Sequence, residues 1–114
     1  MHSDVNEDEV NQFLNKNNLK NHIILKGVFP DKVSKITNNK KFKFAHIDTD
    51  TYKSTLDTFK YLWPKIIKNG IVIIDDYGVF DNQGIKKIIE KDLLKFKDCF
   101  SIRLLSGQDL LIKL

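Results

Sequence analysis

A chain of 114 residues with 41% hydrophobic content buries one modest core, which predicts a single domain over residues 1–114. The net charge of +4 comes from eighteen lysines and one arginine dispersed along the chain, with no basic run interleaved with aromatics, and this argues against nucleic-acid binding. A lone cysteine, Cys99, excludes an internal disulfide and a multi-cysteine zinc site, and with neither a signal-peptide pattern nor an apolar run near the roughly 20 residues of a bilayer span, a cytoplasmic chain with no membrane partner is expected.

The first periodic segment, "VNQFLNKNNL", places Val10, Phe13 and Leu14 on one helical face, behind an acidic "NEDE" that suits a helix N-terminus. "HIILKGVF" reads as a short buried strand opening into a Gly-Val-Phe-Pro loop, and "PDKVSKI" as a short helix. After the polar turn "TNNKK", "FKFAHID" is the next strand. "STLDTFKYLWPKIIKNG" carries Leu56, Phe59, Leu62 and Ile66 at helical spacing, with Pro64 as a kink or junction and Gly70 as the stop. "IVIIDDY" has the uninterrupted apolar run of a central strand buried on both faces. "NQGIKKIIEKDLLKF" follows as a helix with Ile85, Ile88, Ile89 and Leu93 inward, and "FSIRLLS" and "DLLIKL" are predicted to close a hairpin. Five strands interleaved with helices make an open α/β sheet, in which ligands sit at the carboxyl ends of the strands.

Both acidic clusters fall at such ends: Asp48 and Asp50 after one strand, Asp75 and Asp76 after another. If the strands are neighbours, Asp48, Asp75 and Asp76 converge, and three clustered carboxylates repel unless a cation joins them or a proton is shared. Oxygen-only ligation favours Mg²⁺ or Ca²⁺ over Zn²⁺. The competing reading is that Asp48 and Asp75 only cap the helices or turns that follow them. Two enzyme classes also put acids here. "DTDT" matches the D-x-D-x-T loop of haloacid-dehalogenase-like phosphatases, with Asp48 as nucleophile and Asp50 as general acid, and "DTD" matches the metal-binding D-x-D of nucleotide-sugar glycosyltransferases. The first lacks its separate Ser/Thr and Lys motifs, and the second its nucleotide-binding region.

A longer stretch, "FAHIDTDTYKSTLDTFKYLWPKIIKNGIVIIDDYGVFDNQGIKKIIEKDL", resembles the core of the macrocin O-methyltransferase family, S-adenosylmethionine-dependent enzymes that methylate sugar hydroxyls. The resemblance rests on Asp48, Asp50, Tyr52, Ser54, Thr55, Pro64, Gly70, Asp75, Asp76, Tyr77 and Gly84 in that order, with "ILKGVFPD" similar to an upstream Gly-x-Phe-x-Asp segment. It covers roughly residues 8–114, and Lys53 stands where the family usually has Glu. It implies a partial Rossmann-like class I methyltransferase sheet with strands corresponding to 3, 4, 5, 6 and 7. It also implies that Asp48, Asp75 and Asp76 hold Mg²⁺, that Asp48 is the general base, and that Gly27, Val28 and Phe29 lie near the adenine of the cofactor. Asp50, Tyr52 and Tyr77 would line the pocket of a small glycosyl acceptor. His46, two residues before Asp48, is expected to pack or hydrogen-bond beside the site, and Trp63 to belong to the core.

The family's Gly-rich loop and its ribose-binding acid have no counterpart here, and its strand order, 3-2-1-4-5-7-6, separates the third strand from the fourth by the two missing ones. The resemblance therefore describes either the C-terminal portion of a methyltransferase or a metal-binding or interaction remnant without catalysis. For the unpartnered strand at 42–48, the expectation is that residues 22–26 pair with it directly, or that it recruits a second chain as a homodimer or a missing N-terminal half. Binding of S-adenosylmethionine by these 114 residues alone is expected to be weak or absent.

Overall fold

The computed structural model describes residues 6–49, 51–75 and 98–114, with Tyr52 described by its backbone alone. The chain divides into two compact units, Met1–Lys35 and Ile36–Leu114.

In the first unit, α1 spans Glu7–Lys16. The Asn6 side chain caps it by accepting from the Glu9 N–H at 2.8 Å, and Glu7, Asp8 and Glu9 place negative charge on its first turn. Val10 and Leu14 are half-buried as the periodicity predicts, whereas Phe13 is 64% exposed. The strand expected in "HIILKGVF" does not form: residues 22–26 carry no ladder, and Ile23, Leu25 and Lys26 are exposed. A strand is held by its neighbours' backbone groups, and apolar composition does not replace them. Residues 22–26 therefore supply no strand for the expected pairing with 42–48. The short α2, Ser34–Thr37, sits where a brief helix was predicted.

The second unit is a four-stranded mixed sheet and its packed helix. β1 spans Phe42–Ile47, β2 Ile66–Ile74, β3 Cys99–Arg103 and β4 Asp109–Lys113, in the order β1-β2-β4-β3. This is the 4-5-7-6 order implied for the last four strands of the methyltransferase sheet. β1 and β2 are parallel, joined by α3, Tyr52–Leu62, while β4 runs antiparallel to both β2 and β3. The predicted hairpin is closed at its turn by Leu104 N–H to Gln108 O and Gly107 N–H to Leu104 O, at 2.9 and 3.1 Å.

The helix predicted to run to Gly70 ends earlier. Pro64 marks the junction, since α3 stops at Leu62, a single 3-10 turn covers Trp63–Lys65, and β2 starts at Ile66. Between the pairs Phe42↔Ile66 and Phe44↔Ile71 the register shifts, so Gly70 lies in a bulge of β2. The core lies between the sheet and α3: Ile47, Ile66, Val72, Ile74 and Leu111 from the strands meet Phe59 and Trp63, whose rings stack at 5.1 Å. β2 is central, but only alternate residues are fully buried; Ile71 and Ile73 on its other face are half-buried. The helix predicted over "NQGIKKIIEKDLLKF" lies outside the described residues.

Candidate functional site

The parallel register fixes the site. Ile47 pairs with Ile74, and the ladder continues one step further through Asp75 N–H to Ile47 O at 2.8 Å. Asp48 and Asp75 therefore leave the carboxyl ends of adjacent strands, whose backbones lie about 4.8 Å apart. His46 pairs with Ile73, so alternation along the pleat puts His46 and the residues two further on, Asp48 and Asp75, on the face opposite the α3-packed core. The His46 Nε2 atom lies 3.1 Å from Asp75 Oδ2. His46 thus hydrogen-bonds beside the site, as the sequence predicts.

The loop from β1 to α3 is held by hydroxyls. Thr55 is fully buried, its Oγ1 lies 2.7 Å from Thr49 Oγ1, and it also reaches the Thr49 carbonyl at 3.3 Å. Thr51 caps α3 by accepting from the Ser54 N–H at 3.2 Å. These contacts seat the helix directly after the Asp48 segment. Asp48 is exposed and makes no cap there; the capping is done by Thr51, which removes the reading of Asp48 as the cap of α3.

Of the predicted metal ligands, Asp48 and Asp75 follow the paired strand ends and Asp76 lies outside the described residues, as do Asp50 and Tyr77. Tyr52 is the first residue of α3. Among the described residues, no group of three His, Cys, Asp or Glu side chains gathers to hold a cation. Asp48 and Asp75 offer carboxylate oxygens at neighbouring strand ends, the oxygen chemistry that suits a hard cation, and among the described residues His46 Nε2 faces one of them. Gly27, Val28 and Phe29 belong to the first unit. Gly27 has φ +150°, and an added Cβ would meet Lys32 Cβ at 2.6 Å, so a side chain does not fit there. Val28 is 70% exposed.

One group at this end of the sheet had no sequence signal. Asp109 pairs with Ile74 across β2 and β4, and so sits on the core face, buried, with Ser101 Oγ donating to its two oxygens at 3.3 and 3.0 Å. Burial pushes its pKa up, outweighing the Ser101 hydroxyl, the Arg103 charge and the Leu110 backbone N–H, which lower it. Only the register of β2 on β4 places it there.

The family model described as Macrocin-O-methyltransferase (TylF) matches residues 2–97. Among solved structures, the O-methyltransferase NovP is similar at TM-score 0.79 and 26% identity over 96% of this chain and 45% of its own. A methyltransferase from Geobacter sulfurreducens shares the fold at TM-score 0.58 and 18% identity, over 97% of this chain and 56% of its own. The chain thus spans about half the length of these structures. No curated protein matches it.

Proposed function

The chain belongs to the macrocin-O-methyltransferase family, and from that premise we propose that it carries the metal and acceptor half of an S-adenosylmethionine-dependent, Mg²⁺-dependent O-methyltransferase acting on a sugar hydroxyl. The observation that carries this reading is the pairing of Ile47 with Ile74, which sets Asp48 beside Asp75 at the strand ends. Asp48 and Asp75, with Asp76 as the third ligand expected from the resemblance, would hold the cation. Mg²⁺ there would bind neighbouring sugar oxygens and lower the pKa of the one that attacks. Asp48 takes the proton from that hydroxyl, and the side chain's exposure leaves it open to an acceptor. The hydroxyl oxygen then displaces the methyl group in line from the sulfonium, the S–CH3 bond breaking as the O–CH3 bond forms and S-adenosylhomocysteine leaving, so no side chain is required as a nucleophile. Asp50, Tyr52 and Tyr77 contribute to the acceptor pocket, and Gly27, Val28 and Phe29 to the cofactor side. Cytoplasmic placement rests on the single thiol, Cys99, and, among the described residues, on there being no helix long and apolar enough to cross a membrane.

The test is transfer of a labelled methyl group from S-adenosylmethionine to a glycosyl hydroxyl by this chain joined to a cofactor-binding half, as in a full-length enzyme, with and without Mg²⁺. Transfer that requires Mg²⁺ and falls about 10²-fold or more in Asp48→Asn is the expected result, the scale of a lost general base. Phosphate release from an aryl phosphate, abolished in the same variant, would favour the phosphatase chemistry instead. Since the chain spans 45% of the NovP structure, a metal-binding module without catalysis is the second reading, and Mg²⁺ binding with no methyl transfer would select it.

A further inference from the structure

His46 and Asp75 come from different strands, 29 positions apart in the chain, and meet at 3.1 Å between Nε2 and Oδ2. An ionised carboxylate only accepts hydrogen bonds, so Nε2 carries the proton and donates. The pair is not part of the core, since the side chains are 43% and 29% exposed and lie on the face opposite α3. The contacts that hold Asp75 include its backbone N–H to Ile47 O and its carboxylate to His46.

We infer that His46 is a positioning residue for the cation site: its Nε2–H fixes the rotation of the Asp75 carboxylate and so presets how that group meets the metal. The inference rests on the metal reading proposed above. A carboxylate that is free to rotate must be ordered when it binds an ion, and holding it beforehand removes that cost. His46 is suited to hold Asp75 and unsuited to replace it, because its Nε2 proton faces a carboxylate and a hard cation prefers oxygen. Its place two residues before Asp48 also ties the two strand ends together across the edge where both carboxylates emerge. Partners that orient a metal ligand in this way are worth about 10–100-fold in metal affinity.

Calorimetric titration of the 114-residue chain with Mg²⁺ alone tests this, with His46→Ala, His46→Gln and Asp75→Asn compared. His46→Ala is expected to weaken Mg²⁺ about 10-fold or more at unchanged stoichiometry, while His46→Gln, whose amide offers an N–H near the position of Nε2, restores most of the affinity. Asp75→Asn should abolish the site. Loss in Asp75→Asn with wild-type affinity in His46→Ala overturns the role of His46 and leaves the metal reading standing. Binding that survives Asp75→Asn, or no binding by the wild type, overturns the metal reading and the inference with it. A second measurement needs no variant: long-range ¹H–¹⁵N spectra of the wild-type imidazole should show the Nε2–H tautomer before and after saturation with Mg²⁺. An Nδ1–H ring in either state contradicts the inference.

Discussion

Asp109 shows what a single register position does to a carboxylate. It is paired with Ile74 on the core face, and burial raises its pKa above the ordinary 3.8 despite the Ser101 hydroxyl and the nearby Arg103 charge. The native state therefore binds a proton more readily than the unfolded chain. That contribution to stability is fully present below the unfolded value and is lost as pH rises through the folded value. Asp109→Asn, which keeps an acceptor for Ser101 without the charge, is expected to be more stable than wild type in urea at pH 7, with the advantage shrinking as pH falls toward 4. A variant less stable at neutral pH would show that Arg103 outweighs burial. At the other end of the same strand pair, Cys99 is packed against the core, and burial first, then the Asp98 and Asp109 charges, push its thiol up to about 11. At pH 8 it should react with iodoacetamide more slowly than the same thiol in the urea-unfolded chain, as the thiolate is the reactive form. Asp48 and Asp75 were legible because a carboxylate ending an apolar run is a visible signal. Asp109 was not, since "GQDLLIKL" does not reveal which strand receives it or on which face.

At the scale of elements, the legible features were those written in local pattern. α1 follows its acidic first turn, β1 its apolar run, and the hairpin its Gly-Gln break. The junction at Pro64 was also visible, but where the helix gave way to β2 was not. "KIIKNG" continues the helical spacing, and it becomes strand because β1 offers a ladder to Ile66 and to Ile71 onward. Tertiary pairing overrides local spacing at that point. The bulge is intolerant of a side chain at Gly70, where an added Cβ would lie 2.5 Å from Ile66 Cγ2 and 2.8 Å from the Ile67 carbonyl oxygen. Gly70→Ala is accordingly expected to cost about 1–3 kcal/mol in denaturant unfolding, the scale of overpacking. Phe59→Ala removes the ring stacked on Trp63 and should cost about 3–5 kcal/mol. "HIILKGVF" fails as a strand for the converse reason: its composition is right, but among the described residues no strand pairs with it.

For the whole molecule, the order β1-β2-β4-β3 leaves β1 at one side of the sheet with Phe44 56% exposed, and no second strand pairs with β1 among the described residues. The chain spans 45% of the NovP structure and 56% of the Geobacter sulfurreducens methyltransferase, which frames the proposal as the metal and acceptor half of a site. A titration of the 114-residue chain with S-adenosylmethionine is expected to show no saturation at micromolar cofactor, and saturable micromolar binding would mean that the chain holds a complete cofactor site. The central claim, that the ends of β1 and β2 hold a divalent cation, has a direct test in paramagnetic relaxation with Mn²⁺ in place of Mg²⁺, since both ions take oxygen donors. At substoichiometric Mn²⁺ the backbone amides of Asp48, Thr49 and Asp75 should broaden first, and Asp75→Asn should remove the effect. Broadening centred on α1 or its acidic first turn, or uniform across the acidic residues, would contradict it.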